Sequence, residues 1–119
     1  MTLAIETAIQ TALAAVCPRT FPDVAPDGTA PPYLVWRLDS GTPVRYVEGT
    51  IPDRRNALLQ VAAWSATRAE SNTVLQQVEL SLLAAPALST RAITEVHMAY
   101  DEDVDLGGAM QDFDVWGAR

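Results

Sequence analysis

The chain has 119 residues, 49% of them hydrophobic, and a formal net charge of −7 in which all eight basic residues are arginine. That length supports one compact core, no apolar run approaches the ~18 residues of a membrane span, and the start MTLAIETAIQ carries an acid where a secretory signal carries basic charge, so a soluble, cytoplasmically made protein is expected. The absence of any lysine-rich patch to hold phosphates weighs against sequence-specific DNA binding, and the single cysteine, Cys17, leaves no partner for an internal disulfide or a cysteine-based zinc site.

In chain order, the first element is a helix over about residues 2–16, because Ile5, Ile9, Ala12, Leu13 and Val16 recur on one helical face. Pro18 ends it, since proline lacks an amide hydrogen and disfavours helix in the residue before it. A loop with a turn at PDGT is expected from Pro18 to Pro32, glycine supplying the positive φ. Tyr33–Asp39 reads as a strand, alternating Leu34, Trp36 and Leu38 against Tyr33, Val35 and Arg37. A second strand covers about residues 57–64, with Leu59, Val61 and Ala63 on one side. The stretch between them, about residues 40–56, is as long as compact domains tolerate without a purpose. Its sequence VRYVEG has the makings of a short hairpin arm, and its prolines and glycines argue against deep burial.

A second helix begins near Thr67, where Thr67 and Glu70 have the three-residue spacing of a capping box. Its core stripe is Val74, Leu75, Val78, Leu82 and Leu83, with Leu80 pointing away from it, and Pro86 closes it. Two further strands follow, at about residues 93–100 and 110–116, joined by the acidic DEDVDLGGA. The order helix, two strands, helix, two strands predicts an α+β fold: a small antiparallel four-stranded sheet with both helices on one face. The opposite face keeps Val35, Leu58, Ala62 and Trp64 beside Arg37 and Gln60, and so calls for a second cover, either its own long loop or a neighbouring subunit.

Few constellations point to chemistry. Asp101, Asp103, Asp105 and Asp112 have the spacing of calcium ligands, but the sixth position is Leu106, where such a loop needs glycine, and the flanks read as strands; a solvated acidic hairpin end is the better account. His97, the sole histidine, has no metal-ligating partners nearby, and there is no nucleophile elbow, phosphate loop or zinc-helix motif. No catalytic, cofactor or metal residues are assigned, and no enzymatic activity is expected. Trp36, Trp64 and Trp116 suit core and interface packing, since stacking on single-stranded nucleic acid also requires a positive groove. Arg45, Arg54 and Arg55 with Tyr46 are candidate subunit or tube contacts, because arginine and tyrosine are enriched where proteins meet; Leu80 and Trp64 join them.

The order PYLVW, GTPV, NALLQVAAWSATRAE and MAYDEDVDLGGAMQDFDVW resembles the tail completion proteins of long-tailed bacteriophages, related in fold to tail terminators and head-tail joining proteins. The similarity runs from the first helix to Trp116. Its most specific pieces are Pro32, Tyr33 and Trp36, the Gln60 to Trp64 strand with Thr67 and Arg68, and Gln111, Asp112 and Phe113 through Trp116.

What this resemblance implies is a structural virion protein of the tail or neck, assembled in the host bacterial cytoplasm. It would form a ring, typically a homo-hexamer, on the head-proximal end of the tail tube. That ring would end tube growth, contact the major tail tube protein, and offer a docking face to the head-tail connector or stopper protein. Genomic DNA would pass non-specifically through its centre, and no membrane or cofactor is implied. Six of the fifteen acids fall between Asp101 and Asp114; Asp101, Glu102, Asp103 and Asp105 are the candidate channel acids, since a like-charged wall lets hydrated DNA slide. The alternative within the same biology is a head-closure or neck protein on the portal side. From another class, a small acidic enzyme or calcium module would be revived by micromolar calcium binding that is lost on changing Asp103.

Overall fold

Residues 4–99 and 106–119 are described by the computed structural model. They form α1 (Ile5–Ala14), β1 (Thr20–Pro22), β2 (Tyr33–Asp39), β3 (Arg54–Ser65), α2 (Arg68–Ala84), β4 (Ser89–Ala92), β5 (His97–Ala99) and β6 (Gly107–Ala118). The predicted alternation carries through: Leu34 and Trp36 of β2, Leu59, Val61 and Ala63 of β3, and Ala109, Phe113 and Val115 of β6 are buried in one core cluster. Ile5, Ile9 and Leu13 of α1, with Leu75, Val78 and Leu82 of α2, belong to that cluster, so both helices pack on the same face. Cys17 lies in it as well, as a small apolar side chain.

Local chemistry accounts for the element ends. Thr67 Oγ1 accepts the Glu70 amide at 3.2 Å, satisfying one of the free donors at the start of α2. α2 stops two residues before Pro86. The Pro26–Thr29 turn carries Gly28 at φ +79, as the PDGT reading requires.

The sheet has six strands rather than four, in the order β1-β2-β3-β6-β4, with β5 also on β6. It is mixed, because β1 pairs parallel to β2. β1 has three residues, one a proline, and so presents no period to detect; tertiary contacts hold it, Gln10 Nε2 donating to the Thr20 carbonyl at 3.1 Å while Gln10 Oε1 accepts the Trp36 indole N–H at 2.7 Å. Of the strand expected at 93–100, only β5 (His97–Ala99) forms, and β4 (Ser89–Ala92), which was not expected, precedes it on β6. Between the Ala92–Phe113 and His97–Met110 pairs, residues 93–96 oppose only Gln111 and Asp112 of β6, which is the geometry of an enlarged β-bulge. The amides of Ile93 and Thr94 both point at the Asp112 carbonyl.

Four smaller expectations are corrected. β3 starts at Arg54, so residues 54–56 belong to the strand and the loop covers 40–53; antiparallel pairing of Arg54 with Ala118 and of Asn56 with Trp116 extends the ladder. β6 begins at Gly107 for the same reason. Leu83, assigned to the core stripe of α2, is 54% exposed, because Leu75, Val78 and Leu82 already define the buried line and Leu83 lies beside it. α1 is shorter than residues 2–16, its last turn loosening over Ala15 and Val16 before Pro18.

Candidate functional site

The face of the sheet away from the helices is only partly covered. Alternation places Tyr33, Val35 and Arg37 of β2, Leu58, Gln60, Ala62 and Trp64 of β3, and Met110, Asp112, Asp114 and Trp116 of β6 on it; Arg37 is exposed and the rest are half-buried. The loop at residues 23–29, not the longer loop at 40–53, overhangs one end. Beneath it lies an open groove of about 860 Å³ with Val35, Ala62, Trp64 and Met110 on its floor and Asp23, Asp27 and Arg37 among its lining. Asp23 is held there by its amide, which donates to the Trp36 carbonyl at 2.7 Å.

Across the middle of this face runs a polar band. Arg37 Nε donates to Gln60 Oε1 at 3.0 Å, and Gln60 lies opposite Asp112. One row further on, Asp114 Oδ1 accepts from Asn56 Nδ2 at 2.6 Å while its other oxygen stands 3.6 Å from Arg91 Nη2. The sequence places Arg37 and Gln60 beside the apolar residues of this face, and these pairings satisfy their polar groups there. On the core side, Gln111 is 2% exposed. Its Nε2 donates to Glu79 Oε1 (2.7 Å) and to the Thr94 carbonyl (2.9 Å), which ties α2, β6 and the bulge together.

The second surface is the 40–53 loop. Its root is fixed: the Leu58 amide donates to the Ser40 carbonyl, the Thr42 amide to Asn56 Oδ1 at 2.8 Å, and the Arg119 amide and Nε to the carbonyls of Asp53 and Pro52. A β-carbon on Gly41 would overlap the Asn56 backbone, so only glycine permits this close approach. Beyond the root, Val44, Tyr46, Val47 and Ile51 are exposed. The VRYVEG segment forms a turn, the Gly49 amide donating to the Tyr46 carbonyl (2.9 Å) and Tyr46 to Thr50 (3.2 Å), without becoming a strand pair.

The candidate contact residues therefore fall on separate surfaces. Arg45 and Tyr46 are on the exposed turn. Arg54 and Arg55 begin β3, and Arg54 Nη2 contacts the Trp116 carbonyl and Ser89 Oγ. Trp64 is in the groove at the other end of the same strand, about 30 Å from Arg55. Leu80 is 68% exposed on α2, one turn from exposed Leu83. Val35, Arg37, Gln60, Ala62 and Trp64 of the groove belong to the face that the sequence reading gave as needing a cover, whereas Met110 and residues 23–29 were not assigned to it, because nothing local in the sequence shows that they would border it. Asp101, Glu102, Asp103 and Asp105 lie outside the described residues. Of the calcium reading only Asp112 is described, and it sits within β6. His97 is exposed, its Nδ1 3.2 Å from the Glu95 carbonyl. Among the described residues no helix is long and apolar enough to cross a membrane.

Fold and surfaces together define a small α+β protein in which two helices back a mixed sheet and the described residues cover the sheet's other face only in part. A solved structure of the bacteriophage SPP1 gp17 protein shares this fold, with a TM-score of 0.53 and 17% identity over 95% of this chain and 90% of that one. Another solved structure, 14% identical, aligns over 98% of this chain and 91% of that one with a TM-score of 0.49. No curated protein sequence matches. The family model for tail completion protein gp17 matches residues 2–116, and the chain belongs to that family of structural bacteriophage proteins, as the sequence resemblance implies.

Proposed function

We propose that this chain is a ring-forming tail completion subunit that sits at the head-proximal end of the tail tube, ends tube growth, and joins the tail to the head connector. The observation that carries this reading, beyond membership of the family, is the anchored loop that holds four apolar side chains in solvent. A monomer gains nothing from an ordered apolar projection of this kind, whereas a subunit that must reach a neighbour does. A sixfold ring is the stoichiometry the family resemblance favours. The net charge of −7 suits a wall past which DNA slides without adhesion; the acids 101–105 are the proposed channel group.

The test is tube polymerisation. Purified chain added to growing tail tube protein is expected to stop elongation and to leave a cap at one tube end, visible by electron microscopy. Tubes of unrestricted length without caps would overturn the assignment. Removing residues 43–52 spares the anchors at Ser40, Thr42 and Asp53 and gives up only the Arg119 Nε bond to the Pro52 carbonyl, so the deleted protein is expected to stay folded by circular dichroism yet to fail in capping. Normal particles from that deletion would show that the loop has no joining role.

A further inference from the structure

The groove on the open sheet face and the exposed turn of the 40–53 loop are complementary in kind. We infer that the turn of one copy seats in the groove of the next, so that ring closure is a chain of identical loop-into-groove contacts. The inference rests on the proposal that copies of this chain assemble, and it specifies which surfaces meet.

The loop supplies an aliphatic and aromatic tip. Val47 is 107% exposed, so no part of its own chain covers that side chain, and Tyr46 beside it is 52% exposed. The turn that presents them is already closed by the Tyr46, Gly49 and Thr50 backbone bonds, with Gly49 at φ +90. Its docking therefore loses less conformational freedom than docking of a floppy segment. The groove supplies a floor of Val35, Ala62, Trp64 and Met110, wide enough for two such side chains, and an aromatic wall of the kind that anchors interfaces.

Charge matches as well. Arg45 and Glu48 flank the tip, while Asp23, Asp27 and Arg37 are among the lining of the groove. A seated tip carries one base and one acid into a groove whose lining holds two aspartates and an arginine of opposite sign to pair with them.

Position makes the contact one between copies. The loop leaves β2 at Asp39, opposite Leu58, whereas the apolar floor spans the Val35–Ala62 and Tyr33–Trp64 pairs. These pairs lie four to six residues from Asp39 along β2, about 13–20 Å, and no residue of the 40–53 loop is among the lining of the groove. Because the loop and the groove are different patches, their contact is head-to-tail, the type that closes rings when the rotation allows.

Disulfide trapping tests this directly. In a Cys17→Ser background, one preparation carries Val47→Cys and another Ala62→Cys; mild oxidation is carried out at high protein concentration and on tail tubes. A 47–62 disulfide between chains in the mixture, absent from either preparation alone, is expected, and the chain carrying both cysteines should give a covalent ladder ending at the ring. In the native-cysteine protein, Val47→Asp leaves the fold intact, since that side chain touches nothing, and should weaken assembly at least tenfold by light scattering. Assembly without the 47–62 bond, or unaffected by Val47→Asp, overturns the loop-into-groove contact and leaves the ring proposal standing. A 47–62 bond within one monomer overturns it too. Failure to assemble either alone or on tubes overturns both.

Discussion

Gly107 and Gln111 show how single residues position the two layers of this protein. A β-carbon on Gly107 would overlap the backbone nitrogen of Arg68, at the point where Ser71 Oγ donates to the Gly107 carbonyl at 2.6 Å. The first turn of α2 is thus seated directly on the start of β6. Gly107→Ala must push the helix off the sheet, and overpacking of this kind costs about 1–3 kcal/mol, read as a lower urea midpoint with an unchanged slope. Gln111→Leu removes both bonds to Glu79 and Thr94 but also removes a buried oxygen, Oε1, that has no hydrogen-bond partner. The expected net loss is about 1 kcal/mol, and the sharper readout is local: amides 93–96 should exchange faster while those of the β3–β6 ladder do not.

At the scale of elements, α2 begins where Thr67 accepts the Glu70 amide. Thr67→Ala is expected to cost about 1 kcal/mol, and Thr67→Ser to recover most of it, because the hydroxyl rather than the methyl carries the cap; thermal unfolding of the three proteins checks this. On the outer side of the same helix, Leu80 and Leu83 are exposed. Leu80→Ser and Leu83→Ser should each change stability by less than about 0.5 kcal/mol, so a defect in tube capping by either variant would assign that helix face to an interface. The bulge at 93–96 also works as an element. It turns the outer edge of the sheet out of regular pairing, and an irregular edge discourages the uncontrolled strand addition that a flat one invites.

For the whole molecule, the decisive quantity is the balance between attraction and repulsion at its surfaces. With fifteen acidic residues against eight arginines, the chain should not retain duplex DNA. Fluorescence anisotropy with a labelled duplex is expected to show no saturable binding from about 50 to 200 mM salt, and tight binding at the upper end would contradict free passage through an assembled ring. Assembly itself should respond weakly to salt if burial of Tyr46 and Val47 dominates, since apolar contacts are not screened as exposed ion pairs are. Light scattering across the same salt range separates the two cases.

Local pattern by itself determined much of this protein. The periodicity of α1, the strict alternation along β2, the Thr67 cap, the Gly28 turn and the exposure of the 40–53 loop all follow from a residue and its neighbours within a few positions, which is the range over which backbone propensity and side-chain facing act. Only the tertiary structure decided the rest. Thr20–Pro22 is a strand because β2 offers it partners; residues 93–96 leave the ladder because Gln111 draws the Thr94 carbonyl toward α2; and Val35, Ala62, Trp64 and Met110 become one floor because three strands distant in sequence pair in a particular register. Contacts between residues far apart in the chain leave no periodic trace in it, and for that reason the groove could be read only once the sheet was assembled.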